Sequence, residues 1–284
     1  MAGTKRKKAL RRPPDALAYW MGEVLRQHRR AGRNLEEKPV HDLRAALRRC
    51  RSLAEGIRDF DDHKRWRRFS EEIRSLFRPL GNLRDIQVEL QWLEKLGGES
   101  DPIVREASAR LRKKAQCESI KVRRAIEAFD REQWRGWTKK LPERLASLDL
   151  PEKSFLKLGR RSCAMVGKLH ERALASGIPA NYHALRIAAK RFRYTAENFL
   201  PAHYAKWKKK LSVIQDALGA AQDLEVLEAQ LRAYKLLSGD AGEAWRKRLH
   251  GKQEEYFSTY RALVTGNLWA RWGRELGLKN NSLS

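Results

Sequence analysis

Residues 40–57 read VHDLRAALRRCRSLAEGI, and residues 182–199 read YHALRIAAKRFRYTAENF. Aligned without a gap at a constant spacing of 142 residues, the two stretches agree at eight of 18 positions, and the charge is kept where Arg48 meets Lys190. Histidines and paired charges are among the matches, and generic helical composition does not produce such matches by chance. The chain therefore looks like a duplicated unit whose halves divide near residue 150.

Each copy has the periodicity of an amphipathic helix. Apolar residues recur at steps of three and four, which places them on one face of a helix, whereas the residues of a strand would alternate. This apolar face consists of Val40, Leu43, Leu47, Cys50, Ala54 and Ile57 in the first copy and of Tyr182, Leu185, Ala189, Phe192, Ala196 and Phe199 in the second. The pattern predicts two helices that are buried along this face.

A row of basic residues lies one position along from each apolar face. The rows consist of His41, Arg44, Arg48 and Arg51 in the first copy and of His183, Arg186, Lys190 and Arg193 in the second, with Arg49 and Arg191 on their flanks. Like charges at these steps repel one another, so selection for stability alone would favour interspersed Glu residues. We interpret the rows as contacts to a line of phosphate groups, which arginine binds bidentately and lysine binds as a point charge. The alternative is a solvated basic face on a very basic protein.

The two repeated histidines stand at the head of the basic rows. Our hypothesis is that His41 and His183 each donate to a phosphate group and are charged when the anion is bound, because a nearby negative charge favours imidazolium. The affinity should then fall as the pH rises past neutrality, and a binding curve that is flat with pH would contradict this. The remaining histidines have no partner in the repeat that we recognise and are interpreted as surface or core residues; they are His28, His63, His170, His203 and His250.

A shorter pair of segments follows the two copies, with residues 80–85 reading LGNLRD and residues 218–223 reading LGAAQD. Gly81 and Gly219 suit a tight helix junction or a close approach between helices. The two aspartates that end the segments, Asp85 and Asp223, suit a helix cap or a partner that holds a basic residue in place. We interpret the pair as structural, and the aspartates could instead orient an arginine of the binding face.

The rest of the chain keeps the helical period between prolines, which predicts an all-α fold of helical hairpins joined by short connections. Helices are expected near 15–32, 40–58, 62–78, 82–97, 103–147 with an interruption near Pro142 or before it, 152–176, 181–199, 203–218, 221–237 and 241–264. Asp101 is expected to cap the helix that begins at Pro102. We divide the chain into a basic N-terminal tail (1–14), an N-terminal helical half (15–150), a C-terminal helical half (151–270) and a C-terminal tail (271–284).

Composition narrows the class of partner. Lys and Arg number 61 against 35 Asp and Glu, a net charge of +26, while hydrophobic residues make up 42% of the chain and suffice for a core. Such an excess of positive charge favours a polyanionic partner. The three cysteines, Cys50, Cys117 and Cys163, lack disulfide or zinc spacing and are expected to be buried and reduced. With neither a transmembrane run nor a signal peptide recognised, a cytoplasmic location is expected.

The repeated motif, His-x-Leu-Arg followed by (Arg/Lys)-Arg-x-Arg and then by Leu-Gly-x-x-x-Asp, resembles the CHAD family, the conserved histidine alpha-helical domain. The resemblance runs from about residue 15 to about residue 270. It implies two four-helix-type bundles related by a pseudo-two-fold axis, with a basic central groove or pore that binds inorganic polyphosphate and often associates with polyphosphate granules. The contacts it implies here are the eight residues of the basic rows, with Arg49, Arg191 and Tyr194 added.

Two other functions remain open. The same basic faces could bind RNA or DNA, although the rows lack the aromatic residues on which bases usually stack. A metal-dependent phosphohydrolase would need a site such as His41 with Asp85, and the neighbouring arginines would repel the metal ion. We therefore expect a protein that is not an enzyme, with no catalytic residue, no metal ligand and no cofactor, and with inorganic polyphosphate as its partner. No membrane binding is expected, and the oligomeric state is left open.

Overall fold

The computed structural model describes residues 12–98 and 100–278, and these residues form ten α-helices and no β-strand. The helices are α1 (Pro13–Arg33), α2 (Glu37–Ile57), α3 (Lys64–Gly97), α4 (Pro102–Glu127), α5 (Arg131–Ser147), α6 (Glu152–Ser176), α7 (Pro179–Phe199), α8 (Pro201–Ala233), α9 (Gly239–Leu263) and α10 (Leu268–Glu275). The prediction of an all-α fold is confirmed. Apart from its last residues, the predicted basic tail lies outside the described part of the chain.

Local signals in the sequence account for several helix ends. The Asp101 carboxylate accepts hydrogen bonds from the backbone N–H groups of Ile103 and Val104 at 2.8 and 3.4 Å, so the predicted cap is confirmed. Asp130 caps α5 in the same way through the Gln133 N–H at 2.8 Å. Such caps satisfy N–H groups that the first turn of a helix leaves unpaired. The starts of α4 and α5 are thus fixed by local signals.

The breaks predicted inside α3 and α8 are wrong. Pro79 and Gly81 lie within the continuous helix α3, and Gly219 lies within α8. Buried leucines on both sides of Pro79, among them Leu76 and Leu83, keep one face of α3 in the core. Because tertiary burial outweighs local propensity, these helices run through the residues that would end an isolated one.

The C-terminal boundary drawn at residue 270 is also wrong. The chain forms α10 over Leu268–Glu275, and Trp269, Trp272 and Leu276 are only 2%, 3% and 1% exposed. These side chains close the core of the second half against α6. The predicted tail therefore belongs, as far as Leu276, to the folded domain.

Two of the three cysteines follow the prediction. Cys50 and Cys163 are buried and free, whereas Cys117 is exposed on α4. Burial raises the pKa of both buried thiols. A neutral buried thiol acts as a small apolar group, so Cys50 and Cys163 contribute to packing.

Three hydrophobic cores hold the helices together. The first lies mainly within α1–α5 and the second within α6–α10. The third joins the halves, because it contains residues from the C-terminal parts of α3 and α8 and the N-terminal parts of α4 and α9. In the centre, α2 packs against α7 and α3 packs against α8. The two helices that carry the repeated motif are therefore neighbours.

The repeat extends beyond α2 and α7 into the helices that precede them. At the same spacing of 142 residues, Val24, His28 and Ala31 of α1 match Val166, His170 and Ala173 of α6. The interpretation of His28 and His170 as histidines without a repeated partner was therefore wrong. Both are hydrogen-bonded within their own half, His28 to the Ile126 carbonyl and His170 to the Tyr260 hydroxyl. A common origin of the two halves stays a prediction.

Candidate functional site

The basic rows of α2 and α7 converge where the two helices pack together. We define the central cluster as Arg44 and Arg48 of α2, Arg84 and Asp85 of α3, Arg186 and Lys190 of α7, and Asp223 of α8. Every member keeps at least partial exposure to solvent. Five cationic side chains therefore stand against two carboxylates at a position that a dissolved anion can reach, and one of the five, Arg84, is also paired with Glu37 of α2 at 2.5 Å.

Lys190 shows how closely the two rows approach each other. Burial lowers the pKa of Lys190 to about 7, and repulsion from Arg186, Arg48 and, more weakly, Arg44 adds to this effect. Two of these groups lie on the opposite helix, α2. Charges change one another's pKa only when they lie close together and are poorly screened. The two rows therefore face one another and do not lie on opposite flanks of the molecule.

Arg44 is held along α3. Its Nη1 atom donates to the Leu80 carbonyl at 2.8 Å, and its guanidinium carbon lies 5.1 Å from the centre of the Phe77 ring. A Cβ atom at Gly81 would lie 3.1 Å from that Nη1 atom, so the absence of a side chain lets Arg44 approach. Burial lowers the pKa of Arg44 to about 10, with repulsion from Arg48 and Arg84 in the same direction and Asp85 opposing it.

Arg48 links the two repeated helices. Its Nη1 atom donates to the Tyr194 hydroxyl of α7 at 3.1 Å, and its guanidinium lies 5.9 Å from the centre of the Phe77 ring. Tyr194 is only 8% exposed. The structure therefore assigns Tyr194 to positioning Arg48.

Two aspartates from the Leu-Gly segments stand among these cations. Partial burial raises the pKa of Asp85, although its side chain keeps contact with solvent. Arg44, Arg186 and Lys190 oppose that rise. Burial likewise raises the pKa of Asp223, with Arg186 as its main opposing partner. Each carboxylate is shared between cations of both halves. The aspartates therefore partly neutralise the basic side chains, and their role in orienting an arginine stays a prediction.

The two histidines lie at the edge of the cluster in matching surroundings. The pKa of His41 is lowered by burial and by the neighbouring Arg84. His183 contacts the Gln222 side chain through Nδ1, and Gln222 occupies the position in its segment that Arg84 occupies in the first. Arg84 was missed because the match of LGNLRD with LGAAQD breaks at this residue. Its signal was its place one residue before Asp85.

Arg49 and Arg51 do not join the central cluster. Arg49 forms an ion pair with Glu197 of α7 at 3.0 Å, with side chains 17% and 11% exposed, and its guanidinium lies 4.3 Å from the Trp20 ring centre. Arg51 is exposed and pairs with Glu55 of its own helix at 2.7 Å. The structure assigns Arg49 to the contact between helices, because its Nε atom donates to Glu197 and its guanidinium covers the Trp20 ring.

Arg191 and Arg193 also lie outside the central cluster. Arg191 is exposed and lines a separate cavity between α6 and α7. Arg193 donates to the Gln215 side chain of α8; burial lowers its pKa, but a hydrogen bond to Tyr204 and nearby groups outweigh this effect and raise the pKa. Of the eleven predicted contacts, the structure brings four into the central cluster and places the two histidines beside it.

Among the residues that the structure describes, no group of three or more His, Cys, Asp or Glu side chains has the geometry to hold a metal ion. None of the helices in the described part of the chain is long and apolar enough to span a lipid bilayer.

Comparison with known proteins identifies relatives of the whole domain. A family model described as the CHAD domain matches residues 16–232. The crystal structure of the CHAD domain from the plant Ricinus communis is similar with a TM-score of 0.62 and 20% identity, over 94% of this chain and 91% of that one. PptA from Streptomyces chartreusis is similar with a TM-score of 0.56 and 14% identity, over 93% and 98%. At these identities the similarity concerns the fold. No curated protein sequence matches the chain.

Proposed function

Because this chain belongs to the CHAD domain family, as its repeated motif predicted, we propose that it binds inorganic polyphosphate along the central cluster. The observation that carries the proposal is the convergence of two basic rows on Lys190. Repulsion from cations of both helices helps to lower the pKa of this lysine. Like charges held together in this way store electrostatic repulsion, which a linear anion relieves.

The cations in the cluster suit a repeated phosphate ligand. Arg44, Arg48 and Arg186 offer guanidinium groups for bidentate contacts, and Lys190 adds a point charge. Arg84, whose Nη1 atom is paired with Glu37, extends the set through its remaining donors, and His41 and His183 add donors at its edge. Arg51 and Arg193, which lie farther along the rows, are proposed to contact the ligand where it leaves the cluster.

Nucleic acid is the second candidate, and the aromatic rings beside the cluster argue against it. Phe77 lies beneath two guanidinium groups, and Tyr194 is buried with its hydroxyl bonded to Arg48. Single-strand binders stack bases on exposed rings. Since Phe77 is covered by guanidinium groups and Tyr194 is buried, neither ring is free to stack on a base. The cluster therefore suits a ligand that offers phosphates alone.

The decisive experiment compares two charge-matched double variants. Arg44→Gln with Lys190→Gln removes one arginine and one lysine from the cluster, and Arg112→Gln with Lys113→Gln removes the same charges from the exposed surface of α4. Each charge-assisted hydrogen bond contributes about 1.5–3 kcal/mol, so the first variant should bind labelled polyphosphate about 100-fold more weakly or worse. The second should bind nearly as the wild type does. Equal weakening by the two variants would show that only net charge matters, and circular dichroism checks that helicity is kept.

A competition experiment separates the two ligands. Polyphosphate should displace single-stranded RNA at a far lower concentration of phosphate than RNA displaces polyphosphate. If RNA is the stronger competitor, the central cluster is a nucleic-acid site and the proposal fails.

The proposed role is binding without catalysis. In the cell, the tagged protein should coincide with polyphosphate granules, and the Arg44→Gln, Lys190→Gln variant should be dispersed. Release of free phosphate from polyphosphate in the presence of magnesium, lost in the same variant, would instead assign a phosphohydrolase to the cluster.

A further inference from the structure

A second concave site lies on the neighbouring face of α7, away from the central cluster. A cavity of about 660 Å³ opens between α6, α7 and the end of α2. Its walls include Met165 and Ile187, which leave 51% and 48% of their surface exposed although they are large apolar residues. Apolar side chains exposed together around a cavity are typical of interaction sites.

The matching position in the first half of the chain is filled. At the spacing of 142 residues, Ser162 of α6 corresponds to Trp20 of α1, and Arg191 of α7 corresponds to Arg49 of α2. Trp20 packs against the first core, with the Arg49 guanidinium 4.3 Å from its ring centre. In the second half the arginine remains, but a serine stands where the indole would be. The cavity is thus the counterpart of a site that an aromatic ring occupies.

The ion pairs around the two sites also differ. Arg49 is paired with Glu197, whereas the corresponding Glu55 lines the cavity and is bonded to Arg51 at 2.7 Å. Among the described residues, no hydrogen bond or ion pair is formed by the Arg191 guanidinium. The cavity therefore presents exposed apolar side chains together with an unpaired cation, Arg191, and the carboxylate of Glu55.

We infer that the cavity between α6 and α7 binds an amphipathic helix of a partner protein, which inserts one aromatic side chain and places a carboxylate against Arg191. The aromatic ring would take the place that Trp20 takes in the first half, with Arg191 over its face as Arg49 is over Trp20. Helices dock into apolar grooves through such single large anchors. The net charge of +26 favours an acidic partner. This inference does not depend on the proposed polyphosphate site.

The test uses a short synthetic helical peptide with one central Trp flanked by Glu residues, labelled with fluorescein, and measures its binding by fluorescence polarisation. Ser162→Trp fills the cavity with the residue of the matching site and should weaken binding about tenfold or more. Ile120→Trp adds the same ring at an exposed position on α4 and should leave binding unchanged. A peptide with Ala in place of Trp should bind as weakly as the wild-type peptide binds to the Ser162→Trp variant.

A second variant protects the test against misfolding. Met165 is half exposed, so Met165→Glu should fold normally and yet weaken binding, because it places a carboxylate at the apolar wall facing an acidic peptide. Circular dichroism verifies the fold of each variant.

Three outcomes would overturn the inference. The Ser162→Trp and Ile120→Trp variants could lower binding equally, which would place the peptide elsewhere. The Arg44→Gln, Lys190→Gln variant could weaken peptide binding much more than the charge-matched Arg112→Gln, Lys113→Gln variant does, which would place the peptide in the central cluster. The protein could also self-associate in a manner that Ser162→Trp abolishes, which would make a second copy of the chain the occupant.

Discussion

Lys190 carries an ammonium group between cations from two helices and carboxylates from two others. Arg186 lies on its own helix, Arg44 and Arg48 face it from α2, and Asp85 and Asp223 oppose them from α3 and α8. The resulting pKa of about 7 means that the free protein holds this proton only in part near neutrality. A bound phosphate chain favours the charged form, so binding and protonation are linked.

Affinity for polyphosphate should therefore fall as the pH rises from about 6 to about 8, because the proton that binding requires becomes harder to acquire. In the variant Lys190→Arg the group stays charged over this range, and most of the fall should disappear. Calorimetry in buffers of different ionisation enthalpy should detect proton uptake on binding by the wild type alone.

The histidine hypothesis makes a similar prediction, and one variant separates the two. If His41→Gln flattens the pH dependence while Lys190→Arg leaves it intact, the titrating group is the histidine. The structure favours the lysine, since Lys190 lies inside the cluster and His41 at its edge.

Glu89 of α3 is a buried carboxyl group outside the binding rows. It is 4% exposed, its Oε2 atom has no hydrogen-bond partner among the described residues, and burial raises its pKa to about 7. The pKa of Glu89 is higher in the folded protein than in the unfolded chain. The contribution of Glu89 to the free energy of unfolding is therefore most favourable at acidic pH, and it is lost as the pH rises through about 7.

Glu89→Gln should therefore raise the free energy of unfolding at about pH 8 by about 1–3 kcal/mol and should change it little at about pH 5. Urea denaturation at both values measures the difference. The same gain at the two pH values would mean that the charge of Glu89 does not limit stability.

At the scale of helices, the contact between α2 and α7 is secured by the ion pair of Arg49 with Glu197. The low exposure of both side chains makes the pair costly to break from one side only, because the remaining charge stays partly buried. The Trp20 ring beneath Arg49 also joins α1 to this contact.

Glu197→Ala should lower the free energy of unfolding by about 3 kcal/mol, and Arg49→Ala combined with Glu197→Ala should cost less than the two single changes together. At a pH and temperature where the variants stay folded, affinity for polyphosphate should change little. A large loss of affinity in folded Arg49→Ala would return Arg49 to the binding residues that the sequence predicted.

At the scale of the whole molecule, a net charge of +26 opposes the compact state. Salt screens this repulsion with a length of about 10 Å at 0.1 M, and a bound polyanion cancels part of it directly. Stability and ligand binding are therefore coupled through the same charges.

The thermal midpoint should rise as the ionic strength increases from about 0.05 M to about 0.3 M, and polyphosphate should raise it further at constant ionic strength. The Arg44→Gln, Lys190→Gln variant should start from a higher midpoint at low salt and gain little from polyphosphate. Scanning calorimetry measures both effects, with Arg112→Gln, Lys113→Gln as the control. A midpoint that is independent of both salt and ligand would contradict the coupling.

Much of the fold follows from local pattern. The bounds of α6 agree with the predicted 152–176, and the predicted α2 and α7 differ from the observed helices by a few residues. The bounds of the long helices were harder to predict, because the buried leucines that keep α3 helical through Pro79 contact other helices. The C-terminal α10 was missed because it is short and is held by its buried tryptophans.

The amino-acid order by itself determined the helical period, the excess of positive charge and the two rows of basic residues, since each is a property of neighbouring positions along one chain. Only the tertiary structure decided that α2 lies against α7, so that Arg44, Arg48, Arg186 and Lys190 meet, while Arg49 turns to Glu197 and Arg191 to a separate cavity. It also added Arg84. The physical reason is that electrostatic repulsion and burial depend on distance in space, and helix packing sets that distance.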